Sequence, residues 1–110
     1  MIEDTIASIE SRLKNAAGLS AGQRVELQTL LGTLKSELAV LEKADADQAR
    51  SVAGYVALST HEATRASKDP KSVQHALEGL NSAVSGLEAQ HPRLTELVNS
   101  LGMLLSNTGI

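Results

Sequence analysis

From Val73 to Leu105 the apolar residues recur at alternating steps of four and three. The series runs Val73, Leu77, Leu80, Val84, Leu87, then His91, then Leu94, Val98, Leu101 and Leu105. This is a heptad, and it predicts helices whose apolar edge packs against other helices. His91 is the only polar member, and Pro92 follows it at once. Proline lacks an amide hydrogen and its ring collides with the preceding turn, so it kinks or breaks a helix. It also pushes the residue before it out of the helical region. The pattern therefore predicts two helices in one phase, hinged at His91 and Pro92. The first starts at Asp69-Pro70, with Asp as N-cap and Pro at the first helical position, and runs to about Gln90. The second is the more apolar, since Leu97 and Leu104 widen its stripe and no charge follows Glu96. Such a helix belongs in the core of its own bundle or against a partner.

The core that these helices can build is aliphatic. Phe and Trp are absent and Tyr55 is the only aromatic, which leaves few large side chains to wall a small-molecule pocket. A chain of 110 residues makes one domain with a modest core. The rest of it reads as helix too. Ile2, Ile6, Ile9, Leu13 and Ala16 form one stripe, with Glu3 and Asp4 in the first turn and Arg12 and Lys14 in the last, as the helix dipole favours. Gly18 then ends this helix by taking the left-handed conformation. Ser20 and Gln23 fit a capping box and open a second stripe of Leu27, Leu31, Leu34, Leu38 and Leu41, widened by Leu30. The short turn makes residues 1–43 an antiparallel helical hairpin.

Residues 44–68 change character, because alanine replaces leucine. Asp45 with Gln48 can cap a new helix, or the second helix can continue unbroken, since Ala has the best helix propensity. Ala49, Ala53 and Ala57 make either a ridge for close helix approach or the face of a weakly packed, partly exposed helix. Gly54, Gly79, Gly86 and Gly102 fall inside helical patterns, where each marks local weakness or a close backbone contact. The fold class is thus all-α: a single domain over 1–110, built as an elongated, coiled-coil-like bundle of four or five helices. It comprises the hairpin, an Ala-rich helix over 44–68 and Pro-kinked heptad helices over 69–106.

Composition also narrows function. Cysteine is absent, which removes disulfides, thiolate metal sites and thiol nucleophiles. The net charge is −3 with both signs spread along the chain, so no segment has the basic excess that nucleic acid requires. The apolar run from Leu94 to Leu105 is too short to span a bilayer, and Glu3 and Asp4 stand where a signal peptide would be basic. A soluble intracellular protein is expected.

Few motifs carry chemistry. Glu88-x-x-His91 has the spacing used by di-iron carboxylate bundles, but it is a single motif without further glutamates on any stripe. His61-Glu62-x-x-Arg65 begins like a zincin helix and has arginine where the second histidine should stand. His75 and Glu78 are one turn apart and suit a solvated surface pair. No enzyme activity and no cofactor are expected. If Val73 is a d position, His91 is the one polar a position, a device that can fix register or oligomer state; the alternative is that it marks the bend.

The segment Glu88-Ala89-Gln90-His91-Pro92-Arg93-Leu94, the leucine-rich helix after it and the terminal Gly109-Ile110 resemble the tail of a family of small bacterial helical proteins. That family is known only as a domain of unknown function. The opening hairpin is similar, with Leu19-Ser20 leading into Arg24-Val25-Glu26-Leu27, whereas family members look shorter across 44–68. The resemblance implies a bacterial, cytoplasmic protein and no particular activity. The leading expectation is a non-enzymatic structural or interaction module. It would self-associate, most simply as a homodimer, or bind a partner helix through the seam of Val73, Leu77, Leu80, Val84, Leu87, His91, Leu94, Val98, Leu101 and Leu105. The alternatives are a metal-binding bundle using Glu88 and His91, and a peripheral protein that lays amphipathic helices on a lipid surface.

Overall fold

Five helices are present in the computed structural model, which describes residues 2–108: α1 (Ile2–Asn15), α2 (Ala21–Ala44), α3 (Ala46–Ala63), α4 (Pro70–Val84) and α5 (Pro92–Ser106). No strand occurs among the described residues. Each stripe of the first two helices is buried as its period requires: Ile2, Ile6, Ile9 and Leu13 on α1, and Leu27, Leu31, Leu34, Leu38 and Leu41 on α2.

The helix starts are set locally. At Ser20 the capping box closes both ways, with Gln23 N donating to Ser20 Oγ at 3.1 Å and Ser20 N to Gln23 Oε1 at 3.0 Å. Asp45 separates α2 from α3 by itself. Its extended backbone (φ −155°, ψ 93°) ends one helix, its N–H donates to Leu41 O, and its side chain accepts from Gln48 N to start the next. Asp69 caps α4 by accepting from Lys71 N at 3.0 Å, with Pro70 in the first turn.

Two helix ends differ from expectation. Gly18 does not take a left-handed φ; Gly86, at φ +90°, is the one glycine among the described residues that does. The end of α1 is closed instead by Arg24, whose guanidinium donates to Leu13 O at 3.1 Å and to Ala16 O at 2.6 Å. The hinge also lies elsewhere. Helix α4 stops at Val84, not near Gln90, and the chain turns through Ser85 and Gly86. Leu87 N then donates to Val84 O and His91 N to Leu87 O, so the 85–91 stretch is a connection. Pro92 does not kink a helix. It sits in the first turn of α5, where its missing amide hydrogen has no intrahelical partner to lose.

The chain runs up, down, up, down, up. Thr108 and Arg12 meet the end of α3 at one end of the bundle. At the other, Gln48 Nε2 donates to Ala83 O and Arg93 faces Glu37 at 3.9 Å. The principal extents are 36 × 24 × 21 Å. The long axis is the length of α2 alone, 24 residues at ~1.5 Å each. The radius of gyration is 12.9 Å, close to the ~13 Å of a compact 100-residue domain, so the bundle is elongated only as far as its longest helix.

Helix α3 occupies the centre and touches all four others, α4 most closely. Ala49, Val52, Ala53, Val56, Ser59, Thr60 and Ala63 are buried on it. Small side chains let four neighbours reach one helix axis, and this decides in favour of the close-approach ridge over the weakly packed helix. The approach of α4 is close enough that a Cβ on Gly79 would lie 2.5 Å from Tyr55 Cε1, whereas one on Gly54 would meet nothing within 4 Å. The two Gly→Ala substitutions therefore separate. Gly54→Ala is expected to stabilise by about 0.5–1 kcal/mol through helix propensity. Gly79→Ala must move the Tyr55 ring, so part of that gain is lost. Tyr55 is the only aromatic, and near-ultraviolet circular dichroism should change for Gly79→Ala and not for Gly54→Ala. An unchanged aromatic signal in Gly79→Ala would show that the ring does not rest on Gly79.

Candidate functional site

The heptad seam points into the molecule. Val73, Leu80, Val84, Leu94, Val98, Leu101 and Leu105 are buried, and Leu77 and Leu87 pack against the same core. The two halves have different main neighbours, although α3 touches both. Helix α4 lies mainly on α3, and α5 lies mainly on α2. Residues placed on a surface seam by the sequence thus form intrachain helix crossings. The same holds for the other amphipathic stripes, whose apolar faces are turned inward. No helix among the described residues is long and apolar enough to cross a membrane.

His91 and Glu88 are not on one helix face. Glu88 is exposed in the turn after Gly86, and His91 is the half-buried N-cap of α5. The His91 imidazole makes no capping bond. Its backbone does the work of the corner, with N–H donating to Leu87 O at 2.7 Å and C=O accepting from Thr95 N at 3.2 Å. A carboxylate and an imidazole set in register by a helix are the premise of the di-iron alternative, and that register is missing. No group of three or more His, Cys, Asp or Glu capable of holding a metal occurs among the described residues. On α3, Glu62 pairs with Arg65 at 2.9 Å and stands 3.9 Å from His61 Nε2. His75 and Glu78 are both exposed on α4.

A cleft that no sequence motif announced lies at the end where α1, α3 and α5 finish. Its volume is about 930 Å³, within the ~300–1,000 Å³ of small-molecule sites. Helix α1 contributes Ser8, Ser11, Arg12 and Asn15; the turn after it, Gly18 and Leu19; the end of α3 and the connection to α4, Thr64, Arg65 and Lys68; and the turn after α5, Thr108. Among the described residues three cations line it and no Asp or Glu does, although the chain as a whole is at −3. Arg12 Nε donates to Thr64 Oγ1 at 2.8 Å, and Arg12 Nη2 to His61 O at 3.4 Å. Lys68 Nζ donates to Thr108 O. Thr108 is buried, with Oγ1 2.7 Å from Leu105 O and 3.4 Å from Ala63 O, which fixes the last turn against α3.

Part of this positive charge has a local cause. The last carbonyls of a helix carry about half a negative charge and attract cations. In the sequence, Arg12 is visible only in that role. The signal for the cleft is divided among residues 12, 65 and 68, which meet only because α1 and α3 run the same way and end at the same level.

The chain matches the model of a domain of unknown function, DUF4404, over residues 27–110, and it belongs to that family. The matched stretch includes 44–68, the part expected to depart from it, and leaves out α1 and the Ser20 cap. Gly109 and Ile110 lie within the match but outside the described residues. No curated protein and no solved structure is significantly similar to the chain. The cleft therefore joins two parts: Arg65, Lys68 and Thr108 from the matched stretch, and Arg12 from the helix that precedes it.

Proposed function

We propose that this member of the family is a non-enzymatic binding module that acts as a single folded chain and receives its ligand in the end cleft. The observation that carries the reading is the cleft itself: an opening of about 930 Å³ in a bundle whose apolar stripes face its own core. Its lining is rich in hydrogen-bonding side chains and, among the described residues, holds no paired acid and base, which favours binding over general acid–base chemistry. Self-association is not needed by this reading. The seam on which a dimer was expected lies between helices of one chain.

Two measurements test it. Light scattering should give the mass of one chain across a wide range of concentrations. Amide chemical shifts of the labelled protein, followed against a panel of neutral, cationic and anionic metabolites, should respond around Ser11, Arg12 and Thr64 to Lys68. Responses confined to α2 and the outer face of α5, or none at all, would remove the cleft from consideration.

A further inference from the structure

Resting on the cleft as the binding surface, we infer that its ligand is a small organic polyanion carrying at least two oxyanion groups, of the phosphate-ester class. Arg12, Arg65 and Lys68 approach the cleft from two separate stretches of chain, and no Asp or Glu among the described residues joins them in its wall. Helix ends explain some of this, but not all. The carbonyls that close α1 are taken by Arg24, which does not line the cleft. Arg12 serves the end of α3 and Lys68 the turn after α5. Arg65 serves neither; its described bond goes to Glu62.

Donor number points the same way. A guanidinium has five N–H groups in a fixed plane that suits bidentate binding of an oxyanion. The bonds of Arg12 to described residues take one from Nε and one from Nη2, and that of Arg65 takes one from Nη1. These bonds leave further donors on each. Ser8, Ser11 and Asn15 line the cleft beside them and can serve ester or sugar oxygens. The apolar part of the wall is mainly alanine, with no aromatic on which a ring would stack. A compact, highly charged ligand fits such walls better than a flat apolar one. Arg12 on α1 and Arg65 with Lys68 in the connection between α3 and α4 are two cationic stations, and a ligand with two anionic groups can engage both.

Inorganic pyrophosphate is the probe, titrated into the full-length protein at low and at physiological salt, with glycerol and choline as neutral and cationic controls. Pyrophosphate should shift the amides of residues 11–12 and 63–68 with a Kd of about 1 mM or tighter at low salt, and bind more weakly as salt is raised. Arg65→Gln should weaken binding about tenfold and lower the melting temperature only slightly, since Arg65 is exposed and its partner Glu62 keeps a neutral hydrogen-bond donor in reach. Arg12→Gln should weaken it at least as much, and its circular dichroism spectrum reports whether the fold is kept. Binding that both substitutions leave unchanged overturns the inference, as does an absence of shifts with pyrophosphate. If glycerol or choline shifts the cleft amides and pyrophosphate does not, the anion assignment fails while the binding-module reading stands. If no probe and no member of the metabolite panel shifts them, both fail.

Discussion

Truncating Leu94 to alanine is expected to lower the unfolding free energy by about 2–5 kcal/mol, and by the same amount at every protein concentration. Leu94 is the first seam residue after Pro92 and is fully buried, on a helix that packs mainly against α2. Removing its isopropyl end loses the transfer free energy of three carbons and leaves a cavity that helices of fixed length cannot close. A domain of this size is stable by only about 5–15 kcal/mol, so the change is a large fraction of the total. Concentration decides where the seam lies. A seam within one chain gives a denaturation midpoint independent of concentration, whereas one between chains gives a midpoint that rises with it. Urea denaturation of wild type and Leu94→Ala at two widely separated concentrations reads both quantities. Met103→Ala on the same helix, at 67% exposure, should stay within about 0.5 kcal/mol of wild type. A midpoint that climbs with concentration would show that the seam joins two chains.

The features that the sequence made legible are those with local causes. Stripes on α1 and α2, the capping box at Ser20 and the cap at Asp69 depend on residues within a turn of one another, and each is found where the pattern places it; at Asp45 the cap is the one found of the two readings left open. The heptad is harder to read because phase survives a break. Val84 and His91 are one heptad apart, so a connection of that length keeps the numbering of the seam while the backbone leaves the helix after Val84. Both prolines of the chain do the same thing, each opening a helix from its first turn. The rule that places Pro70 holds equally at Pro92, but the continuous stripe makes Pro92 look like an interruption.

Other features depend on contacts that no local pattern carries. Arg24 closes the end of α1 from eleven residues away, which makes a left-handed Gly18 unnecessary. The end cleft needs α1 and α3 to run in the same direction and stop at the same level. Neither helix contains that information by itself. The place of α3 was visible only in part. Propensity could say that an alanine-rich segment makes a helix, not that four other helices close on it, because burial of an alanine is decided by its neighbours.

Ala53→Leu tests that central position most sharply. Ala53 is 1% exposed on the helix that touches every other, so three added carbons have no free volume to enter. Overpacking of this kind costs about 1–3 kcal/mol, and more where the backbone must shift. By the usual conversion for small domains this is a fall in melting temperature of roughly 4–20 °C. The neighbouring Gly54→Ala, one residue on and facing open space, should move stability the other way. Opposite signs at adjacent positions are what a helix with one closely packed face requires. Neither helix propensity nor the apolar character of the side chain produces them, since Leu is nearly as good a helix former as Ala and more apolar. A thermal melt of each variant distinguishes the cases. If Ala53→Leu were neutral or stabilising, α3 would be a loosely held surface helix, and the arrangement that brings its C-terminal end to Arg12 and the end cleft would lose its support.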